Sequence, residues 1–245
     1  MMSFSEVNTV EIVKTQFKYK VSSYINVYGT LIGVQIFALA LSFLGGSSFM
    51  SSNQAVALGA TTYTDSLIVG FSVFWAFITS ILLTTKQMRS YDYTFVSNRL
   101  TSHISNIVFL IIMSVIGAIS AKLVGLLMKV IIMLTYSDPV YGALTSFPEL
   151  LVGMAVAAFY LILFAALGYA IGLVAQMNKI FIFLIPSLFI ASLLFDSGEN
   201  GIITNILKFF IGETSLSVFF IKVLVTITLL FLLSFQALKR LEVRG

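Results

Sequence analysis

The chain has no cysteine, one histidine, one tryptophan and three prolines, and only 10 of its 245 residues are acidic. Without cysteine there are no disulfides, thiolate metal sites or cysteine nucleophiles. The single histidine, His103, cannot supply the paired ligands of a zinc-protease helix. It stands at the mouth of an apolar run, so no span offers a serine nucleophile its base. No glycine-rich loop ends in Gly-Lys-Ser/Thr to cradle nucleotide phosphates, and no acidic pair lies within a span to relay protons. The expectation is a protein that is not an enzyme and that binds no cofactor or metal itself.

What the chain has instead is apolar length. Hydrophobic residues make up 59% of it and charged residues 10%, against roughly 25% charged in a soluble domain. Six apolar runs stand out: Ile25–Leu44, Ser66–Thr85, Ile104–Leu134, Leu150–Ala175, Ile180–Phe195 and Ser215–Ala237. Lys14, Lys18, Lys20, Lys86, Arg89, Arg99, Lys179, Lys239, Arg240 and Arg244 lie in the N-terminus, the even-numbered gaps or the C-terminal tail, whereas the odd-numbered gaps carry one clear cation, Lys208. Such asymmetry follows the positive-inside rule, and it assigns these basic residues to orientation and anionic lipid rather than to nucleic acid. A cleavable signal is not expected, because Glu6 and Glu11 precede a first run that begins only near Ile25.

The expected fold is an all-α integral membrane protein with six transmembrane helices, both termini cytoplasmic and an N-terminal interfacial amphipathic helix. It forms one transmembrane domain over residues 1–245. Residues 1–24 make the interfacial helix, 25–237 the bundle and 238–245 a cytoplasmic tail. In the first segment Ser3 and Glu6 have capping-box spacing. Val10, Val13, Phe17, Val21 and Tyr24 recur at helical steps, with Glu11, Lys14 and Lys18 on another face. An interfacial position is favoured over a plain cytoplasmic extension, because the basic face then meets anionic head groups.

Two runs depart from the length a crossing needs. As one helix, Ile104 to Leu134 would measure about 46 Å, against a hydrocarbon core of about 30 Å, so it either tilts strongly or breaks near Gly117 or Gly125. The fifth run is short and holds Pro186, which removes a backbone donor and predicts a kink. Between runs five and six, residues 196–214 start polar and turn apolar from Ile202 to Gly212, too short for a crossing. An outer half-buried or re-entrant segment is expected there. Gly29 with Gly33, Gly168 with Gly172, and Ala121 with Gly125 sit four apart, a spacing that lets helix backbones approach, within the subunit or across a dimer.

The largest inner loop joins runs two and three, with its candidate docking part at residues 86–103. It mixes Tyr91, Tyr93, Phe95, Val96 and Leu100 with Arg89, Asp92 and Arg99. Aromatics rimmed by charge suit a protein contact; they equally suit an interfacial helix whose tyrosines mark the head-group level.

The interfacial helix, the six spans, this loop and the half-buried segment before the last span together resemble the membrane subunits of ABC exporters of the type-2 permease family. Ser97-Asn98-Arg99 followed by Leu100 stands where that family often has a Ser/Pro-Arg element, although the usual proline is missing. The resemblance implies that Arg89, Tyr91, Asp92, Tyr93, Phe95, Val96, Arg99 and Leu100 couple the chain to a separate ATPase. It implies two ATPase subunits, which would hold ATP and magnesium, and a second permease subunit, identical or homologous. The setting is the cytoplasmic membrane, and short outer loops suit export of a lipophilic or amphipathic cargo such as an antimicrobial peptide or a drug. A non-transporting membrane scaffold or assembly factor, or an ATP-independent secondary transporter, are the alternatives.

Lys122 and Lys129 in run three and Lys222 in run six break the charge rule. A lysine at the bilayer centre costs about 2.5–3.5 kcal/mol on insertion scales, and counting residues from each entry point places all three in the outer half. There they either snorkel to the outer head groups or line an outer cavity for an amphipathic or anionic substrate.

Overall fold

A peptide segment in hydrocarbon must satisfy its own amides and carbonyls, which makes each long apolar run a helix. The computed structural model describes residues 9–23, 25–44, 47–53, 56–62, 64–85, 99–135, 146–178, 180–195, 201–213 and 215–241. In chain order these form α1 (Thr9–Ser23), α2 (Ile25–Leu44), β1 (Ser47–Asn53), β2 (Val56–Thr62), α3 (Ser66–Leu83), α4 (Arg99–Thr135), α5 (Phe147–Met177), α6 (Ile180–Phe195), α7 (Ile202–Ile211) and α8 (Leu216–Leu241). Five of them, α2, α3, α4, α5 and α8, are long and apolar enough to cross a membrane. The chain is therefore a membrane-embedded, multi-pass helical protein.

Among the described residues, the one departure from an all-helical build is in the first gap. There β1 and β2 pair antiparallel, from Ser47 opposite Thr62 to Asn53 opposite Val56. The segment is rich in serine and alanine and has no regular apolar–polar alternation, so periodicity alone does not announce it.

The third run does not break. The 37-residue α4 is continuous, about 55 Å long at 1.5 Å per residue. Gly117 and Gly125 mark close approaches instead of interruptions. A Cβ on Gly117 would stand 2.9 Å from Leu161 Cδ2, and one on Gly125 would stand 2.7 Å from Asp65 Cβ. Beyond Lys122 the helix keeps exposing apolar side chains, with Leu134 83% exposed.

Side-chain contacts set the vertical register of the bundle. Asp65 at the start of α3 pairs with Lys122 of α4, and Gly153 of α5 lies against the same lysine. Midway, the two N–H groups of Gln35 Nε2 on α2 are shared among three acceptors, Ser72 Oγ at 3.1 Å, Ser120 Oγ at 2.9 Å and the Gly117 carbonyl at 3.2 Å. Both hydroxyls in turn donate to their own helix backbones, at Ile68 and Gly117, so a glutamine in a membrane span has a complete set of acceptors. Trp75 Nε1 closes the same layer by donating to Thr30 Oγ1 at 3.0 Å. At the other end Tyr169 of α5 meets His103 and Asn106 of α4, and Gln176 donates to the Thr84 carbonyl.

These rungs make α3 and α5 antiparallel to α4. Helix α8 runs parallel to α5: Phe219 packs on Tyr160 with ring centroids 5.1 Å apart, and Phe231 on Tyr169 at 6.4 Å. Parallel neighbours need a crossover, and α6 with α7 supplies it. The 16 residues of α6 rise about 24 Å, the span from the Gln176 rung to the Tyr160 rung. Its backbone stays helical through Pro186. The main core lies among Leu31, Trp75, Phe109, Met113, Leu161 and Tyr169, where α2, α3, α4 and α5 converge.

Candidate functional site

At the α1 end of the bundle a chain of polar side chains is buried where only apolar ones are expected. Lys20 is 1% exposed, Gln16 1%, Asn106 6%, His103 5% and Tyr169 1%. Lys20 donates to Asn106 Oδ1. The Asn106 amide donates to the Tyr169 hydroxyl at 3.3 Å, and that hydroxyl lies 3.2 Å from His103 Nδ1. The phenol can both accept from Asn106 and exchange a hydrogen bond with Nδ1, the direction of the latter being set by the imidazole tautomer. The His103 ring also interacts with the backbone of Phe231 and lies 5.3 Å from the Phe235 ring. One connected network thus joins α1, α4, α5 and α8. Gln16 and Ser105, also fully buried, add polar atoms that make no protein hydrogen bond.

This arrangement adds polar residues to the expected apolar face of α1, of which Val13, Phe17 and Val21 are half-buried. Val10, assigned to the apolar side, is 72% exposed. The side that packs on α4 carries Gln16 and Lys20 beside half-buried Phe17 and Val21, while Glu11, Lys14 and Lys18 are exposed as expected. Rotation of the helix about its axis is set by the Lys20–Asn106 contact, which a count of apolar residues on α1 cannot see.

Two of the three exceptional lysines, Lys122 and Lys222, lie in ion pairs. Lys122 Nζ lies 2.7 Å from Asp65 Oδ2, and its stem lies against Gly153. Lys222 pairs with Glu213 and holds its ammonium 4.3 Å from the centroid of the Phe209 ring. Lys129, about two turns further along α4, also makes an interaction of its own. The separation of the two ion pairs follows from the rungs. Lys122 is about 24 Å from the Asn106 rung along α4, whereas Lys222 is about 13 Å from the equivalent Phe231 rung along α8. The Lys222–Glu213 pair therefore lies roughly 10 Å deeper in the bundle than Lys122–Asp65. Tyr160 Oη donates to the Phe210 carbonyl at 3.2 Å, so the apolar segment before the last span is pinned at the same depth. An ion pair at such a level is expensive unless complete.

Replacing Glu213 by glutamine, or Lys222 by methionine, is each expected to cost about 1–3 kcal/mol in thermal unfolding in detergent. The joint Lys222→Met, Glu213→Gln change should recover most of that loss. A double mutant no more stable than the sum of the single losses predicts would show that the two charges are not coupled.

Of the glycine pairs, Gly168 and Gly172 are used within the chain. A Cβ at either would collide with α3, at Ser80 and Phe77 for the first and at Thr84 for the second. Gly29 and Gly33 have no atom within 4 Å of such a Cβ and pack on nothing among the described residues. Residues 86–98, with Arg89, Tyr91, Asp92, Tyr93, Phe95 and Val96, lie outside the described residues. Arg99 opens α4, and Leu100 is 43% exposed there. No group of three or more potential metal ligands occurs among the described residues.

Sequence reasoning passed over Lys20, Asn106, Tyr169, Gln35, Asp65 and Glu213. For Gln35, Asn106 and Tyr169 a signal existed: a polar group isolated in an apolar run needs a partner in the bundle. No protein-family model, curated protein or solved structure matches this chain.

Proposed function

We propose that this chain is the permease subunit of an ABC exporter, moving a lipophilic or amphipathic substrate such as a peptide or a drug across the cytoplasmic membrane. ATP would be hydrolysed by two partner subunits, and a second permease, identical or homologous, would complete the pathway. The observation that carries this reading is the buried network Lys20–Asn106–Tyr169–His103. It sits within two turns of the start of α4, next in sequence to the aromatic-containing residues 86–98. A push on residues 86–98 would move α1, α4, α5 and α8 together, as an ATP-driven permease requires.

Counting α6 as a short passage makes six crossings, which brings α1 and the end of α8 to the same end of the bundle. Exposed Lys14, Lys18 and Lys239 cluster there, and the positive-inside rule makes that end cytoplasmic. The Lys222–Glu213 pair and α7 then lie in the outer leaflet, at the exit side of a transported molecule.

Affinity purification of the tagged chain from its native membrane tests the proposal. A stoichiometric ATP-binding-cassette ATPase should accompany it. Changing Tyr93, Val96 and Leu100 together to glutamate should reduce that recovery by about tenfold or more, the loss of at least 1.4 kcal/mol of docking energy. Recovery of the intact chain with no ATPase would overturn the reading.

A further inference from the structure

Among the described residues, the buried side-chain atoms that lack a hydrogen-bond partner are both amide atoms of Gln16 and the hydroxyl of Ser105. All of them lie within about one turn of the Lys20–Asn106 contact: Gln16 precedes Lys20 on the same side of α1, and Ser105 adjoins Asn106 in α4. Gln35 is the opposite case, a buried glutamine whose amide nitrogen is surrounded by acceptors. Unsatisfied polarity is thus concentrated near one seam, between α1 and α4. The packing leaves no space for a water molecule against these atoms, so hydration in place does not compensate them.

A buried amide without partners opposes the arrangement that buries it. Half-buried Phe17 and Val21, beside Gln16 on α1, favour that arrangement only weakly, because acyl chains accept them about as readily as α4 does. The Lys20–Asn106 bond acts in the other direction and ties α1 down. Helix α1 is not among the five long enough to span a membrane. Away from α4 it can lie in the interface with Phe17 and Val21 toward the acyl chains, where the Gln16 amide reaches water and head groups. We propose that α1 is a releasable strap, exchanging between a docked state tied by Lys20 to Asn106 and a released state in which Gln16 is hydrated. The Tyr169–His103 contact does not involve α1, and His103 also meets Phe235 of α8. Release therefore disconnects α1 from α4, α5 and α8 without dismantling what joins those three. The inference concerns α1 and its seat on α4 and does not depend on transport.

The cysteine-free sequence permits site-directed spin labelling of the full chain in lipid nanodiscs. Labels on Lys18→Cys and Leu233→Cys, both exposed positions, report α1 against α8 by double electron–electron resonance. Two distance components are expected in this labelled parent, and Asn106→Leu should enrich the released one. Gln16→Met, which keeps the length of the side chain and removes the orphaned amide, should shift the ratio toward the docked component by about tenfold. Gln16→Leu should act in the same direction, so the answer does not hang on one substitution folding well. A single distance in the labelled parent would overturn the proposal. So would a ratio that the Gln16 variants leave unchanged, or move toward the component that Asn106→Leu enriches.

Discussion

Gly168→Ile is expected to yield little or no folded protein in detergent, while Gly29→Ile unfolds at or slightly above the temperature of the parent chain. A Cβ at position 168 would penetrate the Ser80 hydroxyl and the Phe77 carbonyl and would stand 3.1 Å from Phe77 Cδ2. The carbonyl belongs to the backbone of α3, so relief requires moving one helix away from the other. That separation would also disturb the neighbouring contact of Gly172 with Thr84 and Ile81, whose Cα would be 3.2 Å from a new Cβ. Overpacking of a close crossing costs about 3 kcal/mol or more, a large share of the stability of a bundle this size. Gly29 has open space on the same test, and removing glycine from a helix favours the helix by up to about 1 kcal/mol. Thermal unfolding of the two variants side by side decides the matter. Equal destabilisation of both would mean that the α3–α5 crossing is not where small residues are indispensable.

The second large effect is expected at Asn106. Asn106→Leu removes the carbonyl that receives the Lys20 ammonium and the amide that donates to Tyr169. A hydrogen bond to a charged group contributes about 1.5–3 kcal/mol, and here its loss leaves a cation at a position only 1% exposed. The apparent unfolding temperature should fall accordingly. Lys20→Met, which removes the charge itself, should cost less, and the pair Lys20→Met, Asn106→Leu should be more stable than Asn106→Leu alone. An Asn106→Leu protein as stable as the parent would show that the network contributes nothing to holding α1 on α4. If the proposed coupling is correct, Lys20→Met should still bind an ATPase but transport poorly, because α1 no longer follows α4.

The two results probe different parts of one design. The α3–α5 crossing is held by the absence of side chains, and the α1–α4 contact by the presence of polar ones. Both are devices for packing helices where burial of apolar surface gives little preference between one neighbour and another. Such devices were only half visible in the chain. Gly29–Gly33 and Gly168–Gly172 have the same spacing in sequence, yet one pair faces open space and the other lies hard against α3. The lysines carry a similar lesson. Their place in apolar runs marked Lys122 and Lys222 as exceptional, and residue counting placed them towards one end. Nothing in the sequence marked Asp65 and Glu213 as their counter-ions.

Sequence by itself determined the solvent and the elements. Apolar runs of membrane length, the scarcity of charge and the one-sided basic residues require a multi-pass helical protein, and the run Ile180–Phe195 coincides with α6 residue for residue. Local hydrogen bonding and hydropathy set these features, and both are properties of short stretches of chain. The tertiary structure alone decided that α4 is unbroken, that α1 buries Lys20, and that Asn106 lies opposite a lysine 86 positions away. Those outcomes depend on how each helix is rotated and how far it slides against its neighbours. In a medium as apolar as the side chains themselves, a few polar contacts and close glycine crossings fix those two variables, and no periodicity within a single helix encodes them.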